Sequence, residues 1–124
     1  MKRLEALADS IASLNDYWNP ESPSYGLRNP GLLRAKTLEH LGNANDDCYR
    51  IFSCHQAGYK SLIDTLRKQC ERYGRSTVAD TLAYYGHGNE FAVAGAVDFI
   101  QRSLDDRSVG ALTELSFFLE YMNV

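Results

Sequence analysis

Apolar side chains three and four residues apart open the chain. Leu4, Leu7, Ile11 and Leu14 form one stripe, with Lys2, Glu5, Asp9 and Ser13 opposite. That spacing predicts an amphipathic helix ending near Asn15-Asp16. The pattern then stops, because Pro20, Pro23, Gly26 and Pro30 exclude further regular helix. Tyr17, Trp18 and Tyr25 are costly to leave in water, so this stretch reads as a structured loop and not a linker. The Gly31 that closes it suggests a tight turn at positive φ.

Leu32-Leu33 and the run Cys48-Tyr49-Arg50-Ile51-Phe52 are strand candidates. The Asn-, Asp- and Gly-rich segment 36–47 between them reads as a hairpin loop or as holding a helical turn. Ser53-Cys54-His55-Gln56 fits a capping box, and Tyr59, Leu62, Ile63, Leu66, Cys70 and Tyr73 continue at helical spacing until Gly74. Ser76 is placed to cap a short helix through Val78, Leu82 and Tyr85. Asn89 caps the next, with Ala92, Ala96, Phe99, Ile100 and Leu104 inward and Ala94-Gly95-Ala96 small enough for a close neighbour. Asp105, Asp106 and Ser108 end that helix and cap a last one, whose apolar face carries Leu112, Leu115, Phe118, Leu119 and Met122. The fold class is therefore mainly α: about five helices and a small β-hairpin in one domain over residues 1–124.

With 44% hydrophobic and 23% charged residues, a chain of 124 residues sustains one core and not two. A net charge of −3 gives no general attraction to phosphate backbones, so neither nucleic acid nor an anionic membrane is an expected partner. The thirteen Lys and Arg, scattered among sixteen acids, read as a mixed, solvated surface. Cys48, Cys54 and Cys70 are an odd count without CxxC spacing, which suggests reduced, small buried thiols in place of a Cys48–Cys54 bridge. Cys48, Cys54 and His55 crowd one segment but lack the second cluster that a zinc site needs, and no cofactor motif is present. Acids at positions 5, 9 and 16 interrupt any signal-peptide core, and no run approaches a membrane span. Synthesis in the cytoplasm is the expectation.

His40, His55 and His87 supply imidazoles, but none lies in a recognisable nucleophile context. Gly86-His87-Gly88-Asn89 precedes a helix and suits capping better than anion binding. Two carboxylates are candidates for chemistry. Glu21, between Pro20 and Pro23 and near Trp18 and Tyr25, could sit in the apolar pocket that keeps a glycosidase acid protonated. Glu90, in the first turn of a helix, suits a binding or capping role. The loop aromatics could stack on sugar rings, anchor a protein interface, or pack over the loop.

The runs Tyr17-Trp18-Asn19-Pro20-Glu21-Ser22 and Arg28-Asn29-Pro30-Gly31-Leu32-Leu33-Arg34 resemble a family of small bacterial and phage proteins with the motif EGY…PGS…R-N-N-P-G-N-[IL]-R after a short N-terminal helix. Phe52, then Gln56-Ala57-Gly58-Tyr59, is similar to that family's Phe-containing strand and glycine-bearing helix, and Asn89-Glu90 to its later Glu-Asn helix start. The likeness spans most of the chain, with the Asn-Pro-Gly core its specific part. It implies a relative of the lysozyme and lytic transglycosylase superfamily, often a phage virion structural protein, with a helical domain and hairpin beside a saccharide cleft. In that superfamily a Glu at the end of the first long helix is the general acid. Here the corresponding position, two before Tyr17, is Asn15, which cannot donate a proton, and the second Asn of the motif is Leu32.

The resulting expectation is a non-catalytic, phage- or prophage-derived lysozyme-like module that binds a protein partner or cell-wall glycan and could travel with a virion. Tyr17, Trp18, Tyr25, Arg28, Asn29 and Glu90 would form its binding residues. The alternative is a peptidoglycan-cleaving enzyme with Glu21 as acid and Glu90 assisting. A third is a homo-oligomeric scaffold joined through Phe117, Phe118 and Tyr121 of the C-terminal helix.

Overall fold

The computed structural model describes residues 2–86 and 89–119. Its elements are α1 (Arg3–Leu14), α2 (Pro23–Gly26), α3 (Leu38–Leu41), α4 (His55–Arg72), α5 (Val78–Tyr85), α6 (Glu90–Leu104) and a 3-10 turn, Leu115–Phe118. The fold is mainly helical. The first helix lies at its centre, against α6 most extensively and then α4, while α5 packs on α6. Leu7, Ile11, Leu62, Leu66, Leu82 and Ile100 are fully buried in one core. The single stripe read from the sequence understates how deeply α1 is enclosed: Ala6, Ala8, Ser10 and Ala12 are also buried. Small side chains on that second face let neighbouring helices approach from both sides. By contrast, Ala94 and Gly95 of α6 are exposed, and only Ala96 of that trio meets the core.

Cap positions shift by one residue from the expected ones. Cys54 caps α4, its sulfur accepting the Ala57 N–H, and Thr77 caps α5 by accepting the Asp80 N–H. Asn89 caps α6 as expected, accepting from Phe91 and Ala92 N–H. Asp105, at φ 50°, ends α6 in the left-handed conformation. His87 and Gly88 lie outside the described residues.

Two expectations fail. No hairpin forms among the described residues; residues 49–50 meet Arg34 and Ala44 only in isolated antiparallel bridges, Arg34–Tyr49 and Ala44–Arg50. The reason is local: Leu32 and Cys48 both adopt positive φ, which breaks an extended strand on either side. The Asn45 side chain accepts the Tyr49 N–H, further replacing a regular ladder. The intervening segment does hold a helical turn, α3.

The last helix is likewise absent from the described residues apart from the 3-10 turn. Segment 111–116 instead runs beside the start of α5. The Thr113 and Ala111 carbonyls accept from Val78 and Ala79, and Leu115 N–H donates to Ser76. Those bonds satisfy the N–H groups that a helix start leaves unpaired. Leu115 and Phe118 are buried, but Leu112 is 83% exposed, so its helical spacing was coincidental. Phe118 belongs to the chain's own core, and Phe117 lies under the Arg3 guanidinium, 4.1 Å from ring centroid to Cζ. Those two rings therefore present no open apolar face for a second copy; Tyr121 and Met122 lie outside the described residues. No helix among the described residues is long and apolar enough to cross a membrane.

Candidate functional site

The proline loop is built by side chains bonding to backbone. Ser22 caps the single turn α2, with Pro23 at its first position, where a missing N–H costs nothing. The Ser24 hydroxyl donates to the Asn15 carbonyl at 2.8 Å, and the Asn15 amide donates to the Pro30 carbonyl at 2.9 Å. Asn29 is wholly buried. Its Nδ2 donates to the carbonyls of Leu33 and Arg50, each at 3.0 Å, and its Oδ1 accepts the Leu33 N–H at 2.9 Å. That amide does for segments 33 and 50 what a strand ladder would do.

The loop docks on α4 through two glycines. A Cβ on Gly58 would overlap the Arg28 carbonyl oxygen, so only glycine admits the loop backbone there. A Cβ on Gly31 would lie 2.6 Å from Leu62 Cδ1. Gly31 is favoured by this close approach and not by the positive φ its sequence suggested; the left-handed residues on either side of it are Arg28 (54°) and Leu32 (46°). Asn29 and Gly31 of the Asn-Pro-Gly core are thus structural, and Asn29 is withdrawn from the binding surface because its polar atoms are buried and paired.

What remains at the surface is an aromatic rim. Tyr17 is buried; its ring meets Trp18 edge-on at 5.4 Å and lies 6.0 Å from Tyr25. The Tyr17 hydroxyl bonds to Nδ1 of His55 at the start of α4, and the Tyr25 and His55 rings are 4.5 Å apart. Desolvation raises the Tyr17 pKa, with Tyr25 adding to the rise, so the phenol stays protonated. Trp18, 58% exposed, is oriented by donating from Nε1 to the Ser13 hydroxyl at 3.0 Å, and Tyr25 is 36% exposed. Arg28 is exposed on the same loop. His55 belongs to this cluster although the sequence offered no reason to join it to Tyr17; the helix start at residue 55 was its only signal.

The carboxylates are elsewhere. Glu21 is exposed and lines none of the described cavities, so the apolar pocket expected around it is not formed. Glu90 is an exposed first-turn residue of α6 and lines none either. No hydrogen bond among the described residues joins either carboxylate to Tyr17, Trp18, Tyr25 or His55. Asn15, at the end of α1, does line a cleft of about 360 Å³.

Cys48 and Cys54 are exposed free thiols, correcting the expectation that all three would be buried. Cys70 is buried, and desolvation pushes its pKa up to about 11, which makes it a poor nucleophile. Among the described residues no group of three His, Cys, Asp or Glu side chains is arranged to hold a metal. Compared with known proteins, the chain matches no family model, no curated protein and no solved structure.

Proposed function

We propose that the chain is a non-catalytic binding module, of the phage-related, lysozyme-like kind its motif resembles, that engages a cell-wall glycan or a protein partner through the Trp18–Tyr25 rim. The observation that carries this reading is the rim itself. Two exposed rings are fixed over buried Tyr17 and half-buried His55, on a loop whose backbone is braced from beneath. Rigid aromatic surfaces lose little conformational entropy on stacking against a sugar or burying at an interface.

The absence of catalysis is supported by Asn15. At the position where the resembled family has its acid, an amide lines the cleft and is engaged with the Pro30 carbonyl. The resemblance gains support from residue 32, where the family's Asn would suit the left-handed conformation that Leu32 adopts.

Purified peptidoglycan sacculi test the proposal in two ways, by clearing of turbidity and by cosedimentation. The wild type should sediment with sacculi without clearing them, and Glu21→Gln should behave identically. Clearing that vanishes in Glu21→Gln would replace this reading with a hydrolase or transglycosylase. Absence of both clearing and sedimentation would remove the glycan and leave a protein partner for the rim.

A further inference from the structure

The sequence scatters its basic residues, but the fold gathers several of them around two adjoining cavities away from the paired carboxylates. The cleft of about 360 Å³ is lined by Arg34, Lys36, His40 and Arg50, with Tyr49 and Tyr84 on its walls. A neighbouring hollow of about 430 Å³ shares His40 and Arg50 and adds Arg28. No carboxylate among the described residues lines either one, in a chain with more acids than bases. Arg34, Lys36 and Arg50 form no ion pair among the described residues, whereas Arg67 and Arg102 pair with Asp64 and Asp98.

These cations are held in place by neutral groups. Arg50 is half-buried at the junction of the two cavities, its Cζ 4.6 Å from the Phe52 ring centroid. Its backbone is fixed on both sides, by its N–H donating to Leu33 at 2.9 Å and its carbonyl accepting from Asn29. The Arg34 guanidinium stacks over Tyr49 at 4.5 Å and donates to the Tyr49 hydroxyl and the Asp47 carbonyl. His40 accepts the Lys36 N–H at Nδ1, so its Nε2 carries the proton and is a donor. Gathering like charges with no counter-charge among the described residues costs energy, and an entering anion relieves that cost.

We propose that this cleft binds a phosphate ester carried on a ring-bearing small molecule. Guanidinium forks match the paired oxygens of phosphate, and several cations facing one cavity suit a dianion better than a single carboxylate. The ring would lie against Tyr84, which is 70% exposed beside the cleft. None of Tyr17, Trp18, Tyr25 or His55 lines either cavity, so the proposal holds whether or not the aromatic rim binds glycan.

Calorimetric titration of the full chain with glucose 1-phosphate, adenosine monophosphate, inorganic phosphate, glucose and glucuronate tests it. At least one ring phosphate should bind with a Kd below about 1 mM, and glucose should not bind. Arg50→Gln should weaken that binding about tenfold or more, as expected for loss of a charge-assisted pair. Because Arg50 also packs on Phe52, the exposed Lys36→Gln serves as the second variant and should weaken binding with an unchanged circular dichroism spectrum. Tyr84→Ala should weaken the ring phosphates more than inorganic phosphate. The better of the two ring phosphates identifies a saccharide or a nucleotide as the source. The proposal is overturned if neither ring phosphate binds, if glucose or glucuronate binds as well as the phosphates, or if both charge variants keep full affinity.

Discussion

In the core around α1, the large wholly buried side chains Leu7, Ile11, Leu62, Leu66 and Ile100 carry no polar group to satisfy, and the one buried hydroxyl of α1, Ser10, donates to the Leu7 carbonyl of its own helix. In the loop from Asn15 to Arg34 the wholly buried side chains are Ser24, Asn29 and Pro30, and the loop has only one helical turn of its own. The core gains its stability from apolar area removed from water, which depends on volume more than on identity. The loop depends on particular atoms: one amide saturated by three backbone groups, one hydroxyl on the Asn15 carbonyl, and one glycine under the Arg28 carbonyl. The buried residues named in the two regions are equally enclosed, yet only the core should tolerate exchange of side chains.

The sharpest break should come at Gly58→Ala. Its new methyl has nowhere to go but into the Arg28 carbonyl, so the loop must lift from α4. The expected loss is about 4 kcal/mol, read as a fall in the urea midpoint. A loss below about 1 kcal/mol would mean that the loop is not docked there.

A matched pair comes next. Leu66→Met conserves volume in the core and should cost less than about 1.5 kcal/mol. Asn29→Leu, also close in volume, should cost about 3 kcal/mol, because it strands the Leu33 N–H and the Arg50 carbonyl without partners. Equal costs from chemical denaturation would erase the distinction between the two regions.

Smaller gains should follow where each region carries a flaw. Leu32 holds φ 46°, a conformation that disfavours a branched side chain, so Leu32→Asn should stabilise by about 1 kcal/mol. A lower melting temperature in that variant would show that packing of Leu32 outweighs its backbone strain.

The core's flaw is Asp9, whose pKa is raised chiefly by burial, against the lowering effect of the 2.9 Å hydrogen bond from Tyr59. Nearby Glu5 adds to the rise. The folded chain therefore holds this proton more tightly than the unfolded chain. The stability it contributes is present below the ordinary carboxylate range and is lost as pH rises through the raised folded value. Asp9→Asn keeps an acceptor for Tyr59 and should stabilise by less than about 1 kcal/mol at neutral pH, since the site is only half-buried. Its advantage should shrink on acidification; an advantage independent of pH would remove ionised Asp9 as the cause.

The same contrast explains what could be read from sequence. Four helices were legible because periodicity and capping are local: Leu4 to Leu14, the run ending at Cys70, Val78 to Tyr85, and the Asn89-capped helix. The fifth was misread because Leu112 and Leu115 share a helical spacing while residues 111–115 are tied by hydrogen bonds to the start of α5 and to Ser76 before its cap. Asn29 looked like a ligand residue because a polar side chain in a loop is usually wet, and nothing local marks a saturated buried amide. Arg34, Lys36 and Arg50 looked like solvated surface because their common cleft is made by tertiary folding. Trp18 and Tyr25 were legible as a surface feature, but their half-buried neighbour His55 was not, being 38 residues from Tyr17.

The central claim, that a braced loop presents Trp18 as a binding group without chemistry, is tested most directly by Trp18→Ala. Its urea midpoint and its cosedimentation with purified sacculi should be measured side by side with the wild type. Trp18 is largely exposed, so the midpoint should stay within about 0.5 kcal/mol of wild type while retention on sacculi falls about tenfold. Undiminished retention with an unchanged midpoint would contradict the claim, and so would clearing of the sacculi by the wild-type chain.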